Sequence, residues 1–340
     1  MAQSIEEFFI ASLQKIGQKN GVCAKFDDDV FVFKKELHHH THKYSLWGNT
    51  SSSNHSMKDF QSLTKDSHCI SAVDGFCEDI HFKRKWFSPY MLACKAFLVN
   101  ISDFIAKNAT PAFALISLVI AKDMNKSQIT QIVNGFSDVC KNFHIRIIGG
   151  DTMLGEKLAF HITLFGFANK PISRHSQSGS LLFCTQGDFG IGFSLKTLRN
   201  LLRFKPMQKN LSNLTTQVLK NQRKSLHNRF YLPLPRICFM QSFGRYIRSS
   251  MDISDGLLQD IPKLLSHSNL NLIPSQTFKR LQNGGQKWRI QSGEEYEILF
   301  CIHAKHRHAL KRITRKTRTK ILFLGKLKRG KCRLHSQKWH

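Results

Sequence analysis

Short β-rich runs that stop on an aspartate recur along this chain, and they limit its architecture more than any other feature. "HCISAVD" (His68 to Asp74) and "IRIIGGD" (Ile145 to Asp151) lie in the first half, and "MDISDGLLQD" (Met251 to Asp260) passes from a strand into a helix in the second. Helical periodicity fills the intervals. Ser88-Pro89 supplies an N-cap and a first-turn proline for a helix through about Lys107. "AFALISLVI" reads as a buried strand, Lys126 to Phe143 as a helix, and "LAFHITLFGF" as a strand that closes a first unit near Asn169. A second unit opens with the strand "SLLFCT", the Gly-rich turn "QGDFGIG" and the helix "FSLKTLRNLL". It continues through a helix after "PLPR", the "MDISDGLLQD" junction, the strand "EYEILFCI", a basic helix from Ala304 to about Thr317 and the strand "KILFLGKL". Such alternation defines a mixed α/β (α+β) class. A length of 340 residues suits two domains, expected at 1–169 and 170–340, with the polar, His-rich stretch 35–67 as a mobile insertion.

Charge sharpens the question of why acids gather where they do. The chain has 51 Lys and Arg against 23 Asp and Glu, a formal net charge of +28, which admits a polyanionic partner without selecting one. Twelve of the 23 acids fall in four clusters: Asp27 to Asp29, Asp74 to Asp79, Asp252 to Asp260 and Glu294 to Glu297. Nine cysteines stand singly with no CxxC pair, which argues against a disulfide framework or a zinc module and for reduced thiols. "MAQSIEEFFIASLQKI" has the spacing of an amphipathic helix rather than a signal peptide, and the apolar run Ala112 to Ala121 is too short to span a bilayer. A cytoplasmic protein with no membrane partner is expected. "GDFGIGFSLKT" lacks the glycine that a P-loop has before its lysine, and its "DFG" stands without the rest of a protein-kinase set. "HHHTH" reads as a solvated tract, and the basic C-terminal "KRITRKTRTK" and "KLKRGK", without interleaved aromatics, as a cationic face rather than a nucleic-acid site.

Asp74 at a strand end, Asp103 in "NISD", Asp151 in "GGDT" and Asp255 at a helix start have the chemistry of Mg²⁺ ligands. Carboxylates that converge repel one another unless a cation or a proton intervenes, and Mg²⁺ with phosphate is the commonest use of such a cluster. Taken singly, each motif has a plainer reading. Asp252 and Ser254 could cap the helix that follows, Asp27 to Asp29 and "SGEEYE" could be solvated turns, and Gly149-Gly150 could serve a tight turn.

In order, "DDDVFV", "VDGFCEDIHF", "KAFLVNISDFIAKNATP", "GGDT", "LPLPR", "MDISDGLLQD" and "SGEEYEILF" resemble the motifs of bacterial thiamine-monophosphate kinases, from about Asp27 to Phe300. The resemblance implies a two-domain PurM-like fold, with an N-terminal sheet with helices and a C-terminal α/β domain, and a homodimer joined through the N-terminal sheets. It implies transfer of the γ-phosphate of ATP to thiamine monophosphate, with Mg²⁺ as cofactor. Carried over residue by residue, Asp28, Asp29, Asp74, Asp103, Asp151 and Asp255 match the metal acids. Asp27, Asp28, Gly150, Asp151, Ser254 and Asp255 match the ATP side, and Glu78, His81, Glu294 and Tyr296 the substrate side. Three departures stand out: Phe26 or Asp27 replaces the glycine before the paired aspartates, Asn108 replaces a glycine after "SD", and "SGEEYE" replaces a Gly-Gly-Glu-Asp pattern. A superfamily enzyme with another acceptor, and a basic nucleic-acid-binding protein on a degenerate kinase fold, remain as alternatives.

Overall fold

A computed structural model describes residues 30–33, 68–185, 189–190, 226–284 and 287–334. The expected N-terminal helix, Asp27 to Asp29, the 35–67 stretch, most of the "QGDFGIG" turn and the helix and basic stretch after it lie outside the described residues.

Each half is organised around one sheet. The first has the order β1-β2-β5-β3-β4, formed by β1 (Val30–Phe33), β2 (His68–Cys77), β3 (Thr110–Ala121), β4 (Arg146–Gly155) and β5 (Ala159–Ala168). β3 and β4 are parallel and the remaining neighbours antiparallel. The second sheet, β7-β9-β6-β10-β8, is antiparallel throughout: β6 (Leu181–Thr185), β7 (Ile247–Asp252), β8 (Leu270–Pro274), β9 (Ile298–Ile302) and β10 (Ile321–Arg329). This is the two-domain PurM-like architecture that the resemblance implies.

Helix α1 (Pro89–Ala106) joins the halves. It starts where the sequence predicts, with Ser88 Oγ accepting from the Met91 N–H at 3.3 Å and Pro89 in the first turn. All its residues except Pro89, Tyr90 and Asp103 are buried, because one side lies on β2 and β5, another on α2 (Lys126–Phe143) and a third on β7. α2 begins with a capping box in which Asn125 and Gln128 bond reciprocally at 3.0 Å. One continuous core therefore runs from Ile70, Phe97 and Phe160 to Phe183, Phe239 and Phe300. Each such ring contributes roughly 1.5–3 kcal/mol on burial. A second core, with Ile261, Leu264 and Leu299, lies behind the second sheet under α5 (Leu257–Ser266).

Two expectations are corrected. β3 is buried on one face only: Ala114 and Leu118 face α1, whereas Leu115, 37% exposed, points to the opposite face, which none of the described elements covers. The helix after Ser254 is not capped by Asp252 or Ser254 but starts after Gly256, with no side-chain cap at that position. Among the described residues, α3 (Leu226–Tyr231), α4 (Ile237–Phe243), α6 (Gln276–Asn283), α7 (Lys287–Gln291) and α8 (Arg307–Lys316) complete the helices.

Candidate active site

Four acids meet where α1 crosses from one half to the other. Strand β2 aligns Asp74 with Ile162, which is fully buried, so Asp74 takes the face that looks toward α1. α1 presents Asp103 on its side toward β7, whose last residue is Asp252. Glu294 comes from the segment before β9, which is tied to the "MDISD" strand by Glu294 N–H to Ser254 O at 2.7 Å, Tyr296 N–H to Ile253 O at 2.8 Å and Ile253 N–H to Glu297 O at 2.8 Å. Glu294 (φ 63°) and Tyr296 (φ 48°) are both left-handed. Such non-glycine residues cost of order 1–3 kcal/mol each and persist only where surrounding bonds enforce them.

Burial and mutual repulsion dominate the electrostatics here. Desolvation, then Asp252 and Glu294, push Asp74 up to about 7. Asp103 is held well above the ordinary carboxylate range by burial and then by Asp252 and Asp74. Burial likewise raises Asp252. The Asp103 and Asp252 side chains are hydrogen-bonded to each other, which two carboxyl groups can be only while the pair retains a proton. Cations border the cluster. Lys95, fully buried, has Nζ 2.8 Å from Glu294 Oε2, and the Tyr296 hydroxyl donates to Glu294 Oε1 at 3.1 Å. Lys107 Nζ donates to the Ser250 carbonyl at 3.1 Å, and its charge, with that of Arg174, favours the ionised form of Asp252.

The other expected residues are distributed as follows. Asp255 sits beside the cluster and is ion-paired with Lys263. Asp260 is fully buried and reaches back to accept the N–H groups of Asp255 and Gly256, both at 3.0 Å, which shapes the turn in place of a cap. Asp151 does not join the cluster. It lies opposite Ser117, which lies opposite His161, which lies opposite Gly75, and that row faces away from α1. Gly150 next to it is required by the backbone, since a Cβ there would come 1.9 Å from Ile116 O. Glu78 accepts from Arg84 Nε at 2.8 Å and from the Leu158 N–H at 3.0 Å, and His81 Nδ1 accepts from the Cys77 N–H at 3.0 Å, so both brace the turn after β2. Asn108 takes over the left-handed conformation (φ 57°) of the glycine it replaces, as asparagine tolerates. Among the described residues, no group of three His, Cys, Asp or Glu side chains is arranged to hold an ion unaided.

Asp252, Lys95 and Lys107 are the participants that sequence reasoning passed over. Asp252 stands in the same "MDISD" run as Asp255, where capping the following helix is one open reading of it. Lys95 and Asp103, eight residues apart, share a helix face, a spacing that could have flagged the lysine.

Fold and first-half sequence together place the chain in the AIR synthase-related class. Residues 58–168 match the family described as AIR synthase related protein, N-terminal domain. The fold aligns over 100% of this chain and 99% of the other with the structure of AaThiL complexed with AMPPCP and TMP, at TM-score 0.70 and 20% identity. It also aligns with hydrogenase maturation protein HypE in complex with ATP, at TM-score 0.57 and 13% identity over 76% of both chains. The thiamine-monophosphate kinase of Nitrosopumilus maritimus is 30% identical over 246 residues, 70% of this chain and 75% of its own length. That of Bacillus subtilis is 27% identical over 254 residues, 71% and 74% respectively. The chain belongs to the thiamine-monophosphate kinase family, a family of ATP-dependent kinases.

Proposed function

We propose that this chain transfers the γ-phosphoryl group of ATP directly and in line to thiamine monophosphate, giving thiamine diphosphate. The meeting of Asp74 and Asp103 with Asp252 and Glu294 at the seam between the halves carries this reading. Oxygen donors that crowd and hold protons at neutral pH suit a hard divalent cation. Asp74, Asp103, Asp252 and Asp255, with Asp28 and Asp29, would hold Mg²⁺, the Asp103–Asp252 pair releasing its proton and Asp255 turning from Lys263. When bound, the metal neutralises charge between two anionic phosphates. The acceptor phosphate already carries a nucleophilic oxygen, so the protein's task is alignment and exclusion of water, with no general base.

Asp27, Asp28, Ser254 and Asp255 belong to the ATP side of this proposal, which Asp151 with Gly150, on the other face of the first sheet, would serve only across a dimer seam, and Glu78, His81, Glu294 and Tyr296 belong to the acceptor side. Glu78, His81 and Glu294 already have protein partners, so they act by shaping the cleft. The outer face of the first sheet, with Val73, Leu115 and Met153 exposed, supports a homodimer joined there, which would bring Asp151 against the partner. Residues 1–169 and 170–340 form the two domains of this reading, and free cysteines suit a cytoplasmic enzyme. Incubation of the purified protein with ATP, MgCl₂ and thiamine monophosphate should yield thiamine diphosphate on an ion-exchange column. No product from a folded sample would refute the proposal.

A further inference from the structure

α1 is fastened to the second half at two points. At its far end Lys107 Nζ donates to the Ser250 carbonyl at 3.1 Å, and the Ser250 hydroxyl donates back to the Ala106 carbonyl. Twelve residues earlier, about 18 Å along a helix axis, Lys95 reaches Glu294 Oε2 at 2.8 Å. Asp103 hangs between these two fastenings, opposite Asp252.

Lys95 is an expensive residue for its site. It is fully buried, with the rings of Phe230, Phe87 and Phe76 at 4.4, 5.5 and 5.6 Å from Nζ, and among the described residues its ionic partner is Glu294, without the alignment of a hydrogen bond. An apolar side chain would fill a phenylalanine cage with no charge to desolvate, whereas a buried ion pair costs several kcal/mol per ion before its attraction is counted. Packing therefore does not account for the ammonium. Cage and full burial also keep it from touching a phosphate. What it does touch is Glu294, whose second oxygen is taken by Tyr296, so the carboxylate is gripped from both sides and belongs to the opposite half of the molecule.

We propose that Lys95 is a positioning residue: with Lys107 it clamps α1 to the second half, and the clamp sets the approach of Asp103 to Asp252. This rests on the kinase reading above, in which those two acids share the cation. Without the clamp, magnesium itself must draw the halves together, so the cost falls on metal affinity and disappears at saturation.

The test is a double-mutant cycle on the full chain with Lys95→Met, Glu294→Gln and the pair. Each single variant should raise the MgCl₂ concentration for half-maximal thiamine diphosphate formation about tenfold. Turnover of Lys95→Met at saturating MgCl₂ should stay near wild type, and the pair should need no more MgCl₂ than Glu294→Gln alone. In metal-free urea unfolding, Lys95→Met should lower the midpoint and Glu294→Gln should restore part of the loss in the double variant. An unchanged magnesium response, or additive effects in the cycle, would overturn the proposal. Should Lys95→Met not fold, Phe230→Leu loosens the cage with both charges kept; it should shift the magnesium response in the same direction by a smaller factor, and no shift would count equally against the clamp. If wild type forms no thiamine diphosphate, the kinase reading falls, while the urea cycle still reports whether residues 95 and 294 are coupled.

Discussion

The crowding of Asp103 against Asp252 and Asp74 in a buried seam fixes how the site behaves residue by residue. On the proposed magnesium site Asp103→Asn would keep the shape but surrender a cation ligand, so turnover should fall by roughly two orders of magnitude or more with an unchanged far-UV circular dichroism spectrum. The acids also shape stability. Asp74 rises from 3.8 to about 7 on folding, so the folded chain keeps a proton that the unfolded chain has lost. Folding takes up that proton between these two values, and stability falls as pH rises through the window. Metal-free protein should accordingly have a higher urea midpoint at pH 5.5 than at pH 8, and Asp74→Asn should flatten the difference by stabilising the pH 8 state. The motifs made Asp74, Asp103 and Asp255 legible because each closes a recognisable run. They could not disclose that Asp151 faces away from α1: that depends on strand register, where a bulge between Ala114 and Leu115 shifts the pairing and no local signal marks it.

Among the elements, the β7-to-α5 junction is the most constrained. Gly256 has φ 100°, and a Cβ on it would lie 2.7 Å from both Gln291 O and Ser292 O, so this turn is closed to other residues. Gly256→Ala should cost about 2 kcal/mol or more in urea unfolding through strain and displacement of the 291–292 backbone. Asp260→Ala should cost about 2 kcal/mol by leaving the Asp255 and Gly256 N–H groups without their acceptor, while Asp260→Asn should cost less. Helices with chemical punctuation were readable: Ser88-Pro89 opens α1, and the Asn125/Gln128 pair opens α2. β8, α6 and α7 escaped because they are 5, 8 and 5 residues long, too short to establish a period.

Across the whole molecule, the described residues leave the outer face of the first sheet uncovered: Val73, 63% exposed, is in line with Thr163 and Leu115 across the strands, and Met153, 44% exposed, pairs with Val119 further along the same face. A homodimer in light scattering coupled to size exclusion is the expected state, and Leu115→Glu with Met153→Glu should yield a monomer. The order of motifs made the two-sheet plan legible, but not the single core that α1 threads between the sheets, since contacts between distant segments leave no trace in local periodicity. That shared helix has a consequence during synthesis. α1 leaves the ribosome long before β7 and β9 exist, and at 5–20 residues per second the nascent chain waits roughly 10–40 s for its remaining partners. In that interval Lys95 has no acid to face, and the apolar flank of the helix is a natural client for chaperones.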